Sequence, residues 1–247
     1  MSTRSVGTAI QVLEAVADHQ PVGLSELTRF VDVPKATVYR SLVTLEEFGW
    51  LAQADEKWSL TIHAYAVASR GSRGSRIRDA AIGPLSALQL ATGETIHLTV
   101  PDDRHMVLIE RLDTAHALRA FRPLGALAPM HASSAGLAYL AAVDDACFEE
   151  YLAAGLEATT AATIVDPVEL RSVRGVIRAR GYSINEEGLS DGITSLGAAI
   201  LDAGGRVAAA VSVSGPSVRV TRDHYDDYGR HVHETAREIS ATLQSLR

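Results

Sequence analysis

The stretch that decides the architecture is SELTRFVDVPKATVYRSLVTLEEFGWL, residues 25–51. From about Pro34 to Phe48 it sets Val38, Leu42 and Leu45 on one stripe, the spacing of a helix with a single buried face. Pro34 stands where a helix tolerates it best, because an N–H in the first turn has no intrahelical partner to lose. Gly49 ends the helix. Upstream, Leu24, Leu27 and Val31 form the stripe of a shorter helix, with Gly23 or Ser25 as its cap and Glu26 in its first turn. Before that, Ala9, Val12, Leu13 and Val16 describe an amphipathic helix over residues 5–17. After Gly49 the apolar period changes to two. Trp50–Gln53, a polar Ala-Asp-Glu-Lys turn and Trp58–Leu60 predict a small hairpin. Three helices and a hairpin, in that order and with short turns, make a winged helix-turn-helix.

This arrangement turns Lys35, Ala36, Thr37, Tyr39 and Arg40 outward at the leading end of the third helix. A recognition helix enters the major groove, roughly 12 Å wide, with polar side chains at that end. The chain contains only two lysines, Lys35 at the helix start and Lys57 in the hairpin turn, both where a phosphate backbone would pass. Arg4 is a further candidate contact. Glu46, Glu47, Asp55 and Glu56 confine any contact to the front of the helix and the wing tip. The net charge of −7 argues against generic affinity for nucleic acid, which is driven by Lys and Arg displacing counterions. Its distribution matters more than its sum. Residues 1–80 hold nine basic and nine acidic residues, whereas residues 81–247 hold 14 and 21.

A chain of 247 residues is long for one core, and the expected division is a winged helix-turn-helix over 1–68, an Arg/Gly/Ser linker at 69–76 (SRGSRGSR) and a second domain over 77–247. In the second domain a helix from Ile77 to Thr92 ends at Gly93. Strands are expected at Thr95–Val100, Met106–Leu112, Ala117–Phe121, Tyr182–Asn185, Ser195–Leu201 and Val207–Ser214. Helices are expected at Ser133–Ala142, Ala146–Ala153, Pro167–Arg180 and about Asp223–Leu246. The fold class is α+β, with a mainly antiparallel sheet. Glu14 and Asp18 interrupt the N-terminal apolar stretch, unlike a signal peptide, and no segment approaches the roughly 20 apolar residues of a membrane span. A cytoplasmic protein with no membrane partner is expected.

In Val211-Ser212-Val213-Ser214, alternation sends both valines to one face of a strand and both hydroxyls to the other. A hydroxyl-bearing strand face inside an apolar domain wants a polar ligand or a partner helix. Ala132-Ser133-Ser134-Ala135-Gly136 opens a helix, whose free N–H groups are a ready anion site. Together these point to a pocket for a small organic acid. Gly188-Leu189-Ser190-Asp191-Gly192 matches the G-x-S-x-G string of acyl hydrolases, which would make Ser190 a nucleophile, but a strand rather than a long helix follows it. His231 and His233, two apart on a helix, point about 200° from each other and cannot chelate together. Cys147, the single cysteine, has no basic neighbour to activate it. No catalytic residue, metal site or cofactor motif is expected.

The run at 25–51 resembles the helix-turn-helix of the IclR family of transcription regulators. The resemblance continues through PLGALAPMHASSAGLAYLA (123–141), RGYSINEEGLSDGI (180–193) and VAAAVSVSGP (207–216), in the family's order and spacing. It implies a homodimer or homotetramer on double-stranded operator DNA, with a GAF-like domain whose small-molecule effector alters that binding. It implies an effector cavity lined by Ser134, Ala135, Ser195, Ser212 and Ser214, with Met130 and Leu137 as an apolar wall. Some members carry an aspartate near Ile184 and Asn185, which this chain lacks, so no polar contact is expected there. The competing readings are a serine acyl hydrolase using Ser190 and a sensor module that does not bind DNA.

Overall fold

The computed structural model describes residues 3–69 and 73–245. The chain divides into two compact units, Met1–Ser75 and Arg76–Arg247.

In the first unit, helices α1 (Arg4–His19), α2 (Leu24–Leu27) and α3 (Lys35–Glu47) share a core of Val12, Val16, Leu27, Val38 and Leu42. The backbone N–H of Gly23 donates to Glu26 Oε2 at 2.9 Å, satisfying an otherwise orphaned donor at the start of α2. Pro34 is the N-cap of α3 rather than its first helical residue, and its carbonyl accepts from Thr37 N at 2.7 Å. Gly49, at φ +76°, lets the chain leave α3, with Trp50 N returning to Leu45 O at 2.8 Å. Strands β1 (Val22–Gly23), β2 (Leu51–Ala54) and β3 (Lys57–Leu60) form an antiparallel sheet in the order β1-β3-β2. The side chain of Trp58 closes the core from β3.

Helix α4 (Ile62–Ser69) was not expected. Its sequence, IHAYAVAS, is apolar nearly all round and carries no face to read, and both Ile62 and Tyr65 are exposed. Helix α5 (Arg73–Thr92) corrects the expected linker. Of residues 69–76, Ser69 ends α4, 73–76 are already helical, and 70–72 lie outside the described residues. Arginine is a good helix former, so the polar turn ahead of Ile77 extends the helix instead of interrupting it.

The second unit is built on a six-stranded antiparallel sheet in the order β6-β5-β4-β9-β8-β7. Its strands are β4 (Thr95–Asp102), β5 (His105–Leu112), β6 (Leu127–Pro129), β7 (Ser183–Glu186), β8 (Ile193–Leu201) and β9 (Val207–Pro216). One face, bearing Ile96, Leu98, Leu196, Ile200, Val211 and Val213, packs on Leu85 and Leu88 of α5. Val232 and Ile239 of the C-terminal helix join that core. The other face carries α6 (Ser134–Ala142), α7 (Asp145–Ala153) and α8 (Pro167–Arg180), and α9 (Tyr225–Ser245) completes the fold.

The expected strand at Ala117–Phe121 is irregular backbone. Its place beside β5 is taken by β6, because Gly125, at φ +83°, turns the chain and donates to Leu108 O at 2.8 Å. The apolar run that suggested a strand leaves Leu118 and Phe121 exposed and buries only Ala120.

Helix α6 lies unusually close to the sheet. A Cβ on Gly197 would stand 2.8 Å from the Ser134 backbone, and one on Gly136 would overlap the backbone of Met130. Ser183 Oγ donates to Ser134 O at 2.6 Å, and Asn185 Nδ2 to Ala132 O at 3.0 Å. At the far end, Arg174 donates to Leu140 O and Val143 O at 3.0 and 2.7 Å, and Arg178 to Ala141 O at 2.7 Å, taking up the last carbonyls of α6. Gly136→Ala and Gly197→Ala are each expected to lower stability by about 1–3 kcal/mol through overpacking. Gly175→Ala on α8, where the added methyl meets open space, should raise it by about 0.5–1 kcal/mol. Urea unfolding midpoints of the three variants check both signs.

Candidate ligand cavity and nucleic-acid interface

The cavity follows from alternation along the strands. Register places His97 beside Ser212, Ser212 beside Gly197 and Gly197 beside Ser183, a row that crosses four strands on the face away from α5. The parallel row is Thr95, Ser214, Ser195 and Asn185. Side chains this polar cannot be paved over by an apolar helix without stranding their hydrogen-bonding groups. The face opens instead into a cavity of about 310 Å³. Ser212, Ser214, Ser195 and the first turn of α6, Ser134 and Ala135, line it, and Met106, Leu108 and Ala128 supply apolar wall.

These five residues are the ones expected there. Met130 and Leu137, expected as its apolar wall, do not line it: both are buried in the core between α6, α7 and α8. The helical turn that brings Ser134 and Ala135 to the cavity carries Leu137 away from it, toward Phe148 and Ile177. Ser133 is the N-cap, its Oγ accepting from Gly136 N at 3.1 Å, so Ser134 keeps its hydroxyl for the cavity. Asn185 also reaches the wall, but its amide is committed to Ala132 O and to Gly188 N.

Several lining residues escaped the sequence reading. Arg119, Ala120, Phe121 and Arg122 come from the loop misread as a strand. The guanidinium of Arg111 stacks 4.1 Å from the Phe121 ring centroid and donates to Arg122 O, which pins this loop to β5. His97 is the other addition. It is 7% exposed, and among the described residues its Nε2 is buried without a hydrogen-bond partner. Burial, reinforced by the positive charges of Arg122 and Arg111 and opposed by Asp113, pushes its pKa down to about 4. The only available signal was its place in the strand, Thr95-Ile96-His97-Leu98-Thr99, where polar and apolar residues alternate.

Ser190 lines the same cavity but sits in the turn between β7 and β8, with no helix behind it and no nucleophile elbow. His233 Nδ1 lies 2.9 Å from Gly181 O while His231 lies 3.6 Å from Asp227, so the two rings serve different faces of α9. Among the described residues no group of three His, Cys, Asp or Glu side chains could hold a metal ion, and no helix is long and apolar enough to cross a membrane. Burial and the neighbouring Asp144 and Glu150 raise the pKa of Cys147.

In the first unit, the leading end of α3 is a polar, accessible surface. Lys35, Ala36, Tyr39 and Arg40 are exposed, whereas Thr37 is half-buried and accepts from Arg40 Nη2 at 3.4 Å. Lys35 Nζ donates to Ser25 Oγ at 3.1 Å, which ties the ammonium to the first turn of α2. Arg4 is exposed on the first turn of α1, and Lys57 on β3 just past the wing turn.

Two family models match the chain: the IclR helix-turn-helix domain over residues 5–55, and the bacterial transcriptional regulator IclR C-terminal domain over residues 72–241. The transcriptional repressor IclR of Escherichia coli K12 is 32% identical, the match covering 99% of this chain and 91% of the relative. The regulator KdgR of Dickeya chrysanthemi is 30% identical over 97% of this chain and 79% of its own length. Among solved structures, an IclR of Thermotoga maritima superposes with a TM-score of 0.83 at 28% identity, covering 97% of this chain and 98% of the other. An IclR homologue of Microbacterium hydrocarbonoxydans, complexed with 4-hydroxybenzoate, gives 0.86 at 25% identity, with 98% and 99% covered. The curated relatives are regulators of transcription, not enzymes.

The buried histidines couple folding to pH. Both His97 and His131 have pKa values lowered chiefly by burial, so below the ordinary histidine value of 6.5 the unfolded chain binds more protons than the folded one. Their contribution to stability is complete above pH 6.5 and is lost as the pH falls, that of His97 as it approaches about 4. A lower urea midpoint at pH 4.5 than at pH 7 is expected, with a smaller drop in His97→Phe.

Proposed function

The chain belongs to the IclR family of bacterial transcriptional regulators, and from that premise we propose that it acts as a homo-oligomer on a palindromic operator, released or retained by a small carboxylic acid bound in the cavity. The observation that carries the effector half is the polar strand face roofed by the start of α6. A carboxylate there would meet the free N–H groups of a helix N-terminus and the hydroxyls of Ser134, Ser195, Ser212 and Ser214. Apolar walls beside them suit the hydrocarbon part of such an acid. The Microbacterium relative, complexed with 4-hydroxybenzoate, supports an aromatic acid as one form of that ligand.

For the DNA half, Ala36, Tyr39 and Arg40 are the candidates for base edges, with Lys35, Lys57 and Arg4 placed for phosphate; Thr37 acts mainly by positioning Arg40. The expected switch is linkage: an acid that binds one arrangement of the second units better than another shifts the population competent for DNA. The names of the relatives favour repression.

A gel-shift titration with the DNA upstream of its own gene should show preference over random duplex at matched salt, and equal affinity for both would overturn the reading. Lys35→Ala and Arg40→Ala should weaken specific binding, by about 1–3 kcal/mol where a base-edge hydrogen bond is removed, while leaving oligomeric state unchanged by sedimentation.

A further inference from the structure

We propose that the open edge of β8 at Ala199 is a docking site for an extended, acidic segment of a partner protein, which adds to the sheet as a short strand. The hydrogen bonds of β8 itself show which residues face that edge. Ile193 O accepts from Glu187 N at 3.0 Å, and Leu201 N donates to Ser240 Oγ at 2.9 Å, both on the side away from β9. The residues of β8 in step with these two, Ala199 among them, therefore turn their backbone groups to that side. The opposite strand agrees. Ala210, which faces Ala199, gives its carbonyl to Thr99 Oγ1 of β4 at 3.3 Å, so the two alanines exchange no hydrogen bond.

The strand that would cover this edge stops short. Gly181, at φ +86°, ends α8, and β7 begins to pair only at Ser183, opposite Gly197. On either side of the gap the edge is satisfied, Gly197 O by Ser183 Oγ at 3.2 Å and Leu201 N by Ser240. Between them Ala199 keeps its N–H and C=O side by side, without a partner among the described residues. It is half-buried and lines a groove of about 510 Å³. Ala138 and Ala142 of α6 with Ile177 of α8 form one bank, and Ser240 and Ala241 of α9 the other. Side chains this small leave room for a backbone.

The occupant's charge follows from the lining. Arg178, His233 and Arg237 contribute to the groove and no Asp or Glu does, in a unit with an excess of acidic residues. Arg178 and Arg174 share the carboxylate of Asp145. Arg237 is exposed and has no ion-pair partner among the described residues, since Glu234, one turn back, is taken by Arg230. A free anion is the wrong complement, because it would accept from Ala199 N–H and meet the neighbouring carbonyl with like charge. A peptide supplies a carbonyl to the one and an N–H to the other, as the next strand of an antiparallel sheet does. Carboxylates on its side chains then face the cations of the groove. The groove shares no lining residue with the effector cavity, so the two readings stand or fall separately.

The test is fluorescence anisotropy of labelled hexapeptides, valine alternating with Glu, Gln or Lys, titrated with the full chain. The Glu peptide should bind about tenfold tighter than the Gln and Lys peptides, and Arg237→Glu, a change at an exposed position, should cost it about tenfold. Methylating the peptide's amides one at a time should weaken binding about fivefold at one central amide and little at its two neighbours, because successive N–H groups of a strand point to opposite edges. That arm needs no variant of the protein. No binding by the Glu peptide, equal binding of the Glu and Lys peptides, or an unchanged affinity in Arg237→Glu would overturn the proposal. So would a methylation scan without a sensitive amide. If no peptide binds and sedimentation shows self-association lost in Arg237→Glu, the occupant is a second copy of the chain and the proposal falls.

Discussion

The close seating of α6 on β8 is the constraint on which the second unit depends. With no side chain at Gly197, the backbone of Ser134 comes to within 2.8 Å of where a Cβ would be, and the hydroxyl of Ser183 fastens that contact. The helix therefore covers one end of the polar strand face and leaves the other end open. Its own first turn becomes a wall of the space it creates. Arg174 and Arg178 hold the opposite end of the helix to α8, so the wall is fixed at both ends by hydrogen bonds to backbone.

Another side of the cavity is formed by the loop from Asp113 to Ala126. This loop has no partner strand. Arg111 stacks on Phe121 and donates to the Arg122 carbonyl, Arg219 donates to Leu118 O at 3.0 Å, and Gly125 N returns to Leu108 O of β5 at 2.8 Å. Apolar side chains at Leu118, Phe121 and Leu124 remain exposed along it. Two kinds of wall thus meet around one space, a helix start locked by close backbone contact at two glycines and an irregular loop held by scattered side-chain and backbone hydrogen bonds.

How much of this could be read in advance depended on whether local pattern and tertiary packing agreed. The winged helix was legible because each signal was local: Pro34 before α3, Gly49 after it, the stripe of Val38 and Leu42, and the period-two hairpin around Trp58. The serine strand was legible for the same reason, since alternation alone separates Val211 and Val213 from Ser212 and Ser214. Helix α4 was not, because IHAYAVAS is apolar on every side and so shows neither period. Ala117–Phe121 misled because its composition is strand-like, while its path is decided by Gly125 and by β6 occupying the edge of β5. Leu137 was misplaced by a helical turn that no linear spacing from Ser134 reveals. His97 is one histidine among nine, and only the cross-strand register puts it next to Ser212.

The wing turn has a consequence for how firmly the protein can hold on to anything. Asp55 and Glu56 both adopt left-handed backbone, at φ 48° and 60°, which costs side-chain-bearing residues roughly 1–2 kcal/mol each. An Asn-Gly pair would relax this hairpin and remove two carboxylates from beside Lys57. The chain instead keeps a tip that is both conformationally expensive and repellent to phosphate. In the DNA contact proposed above, those two carboxylates oppose the hold of Lys57 on phosphate. Drift toward Asn-Gly at these two positions would make a sturdier hairpin and leave the tip with one positive charge and no carboxylate to offset it.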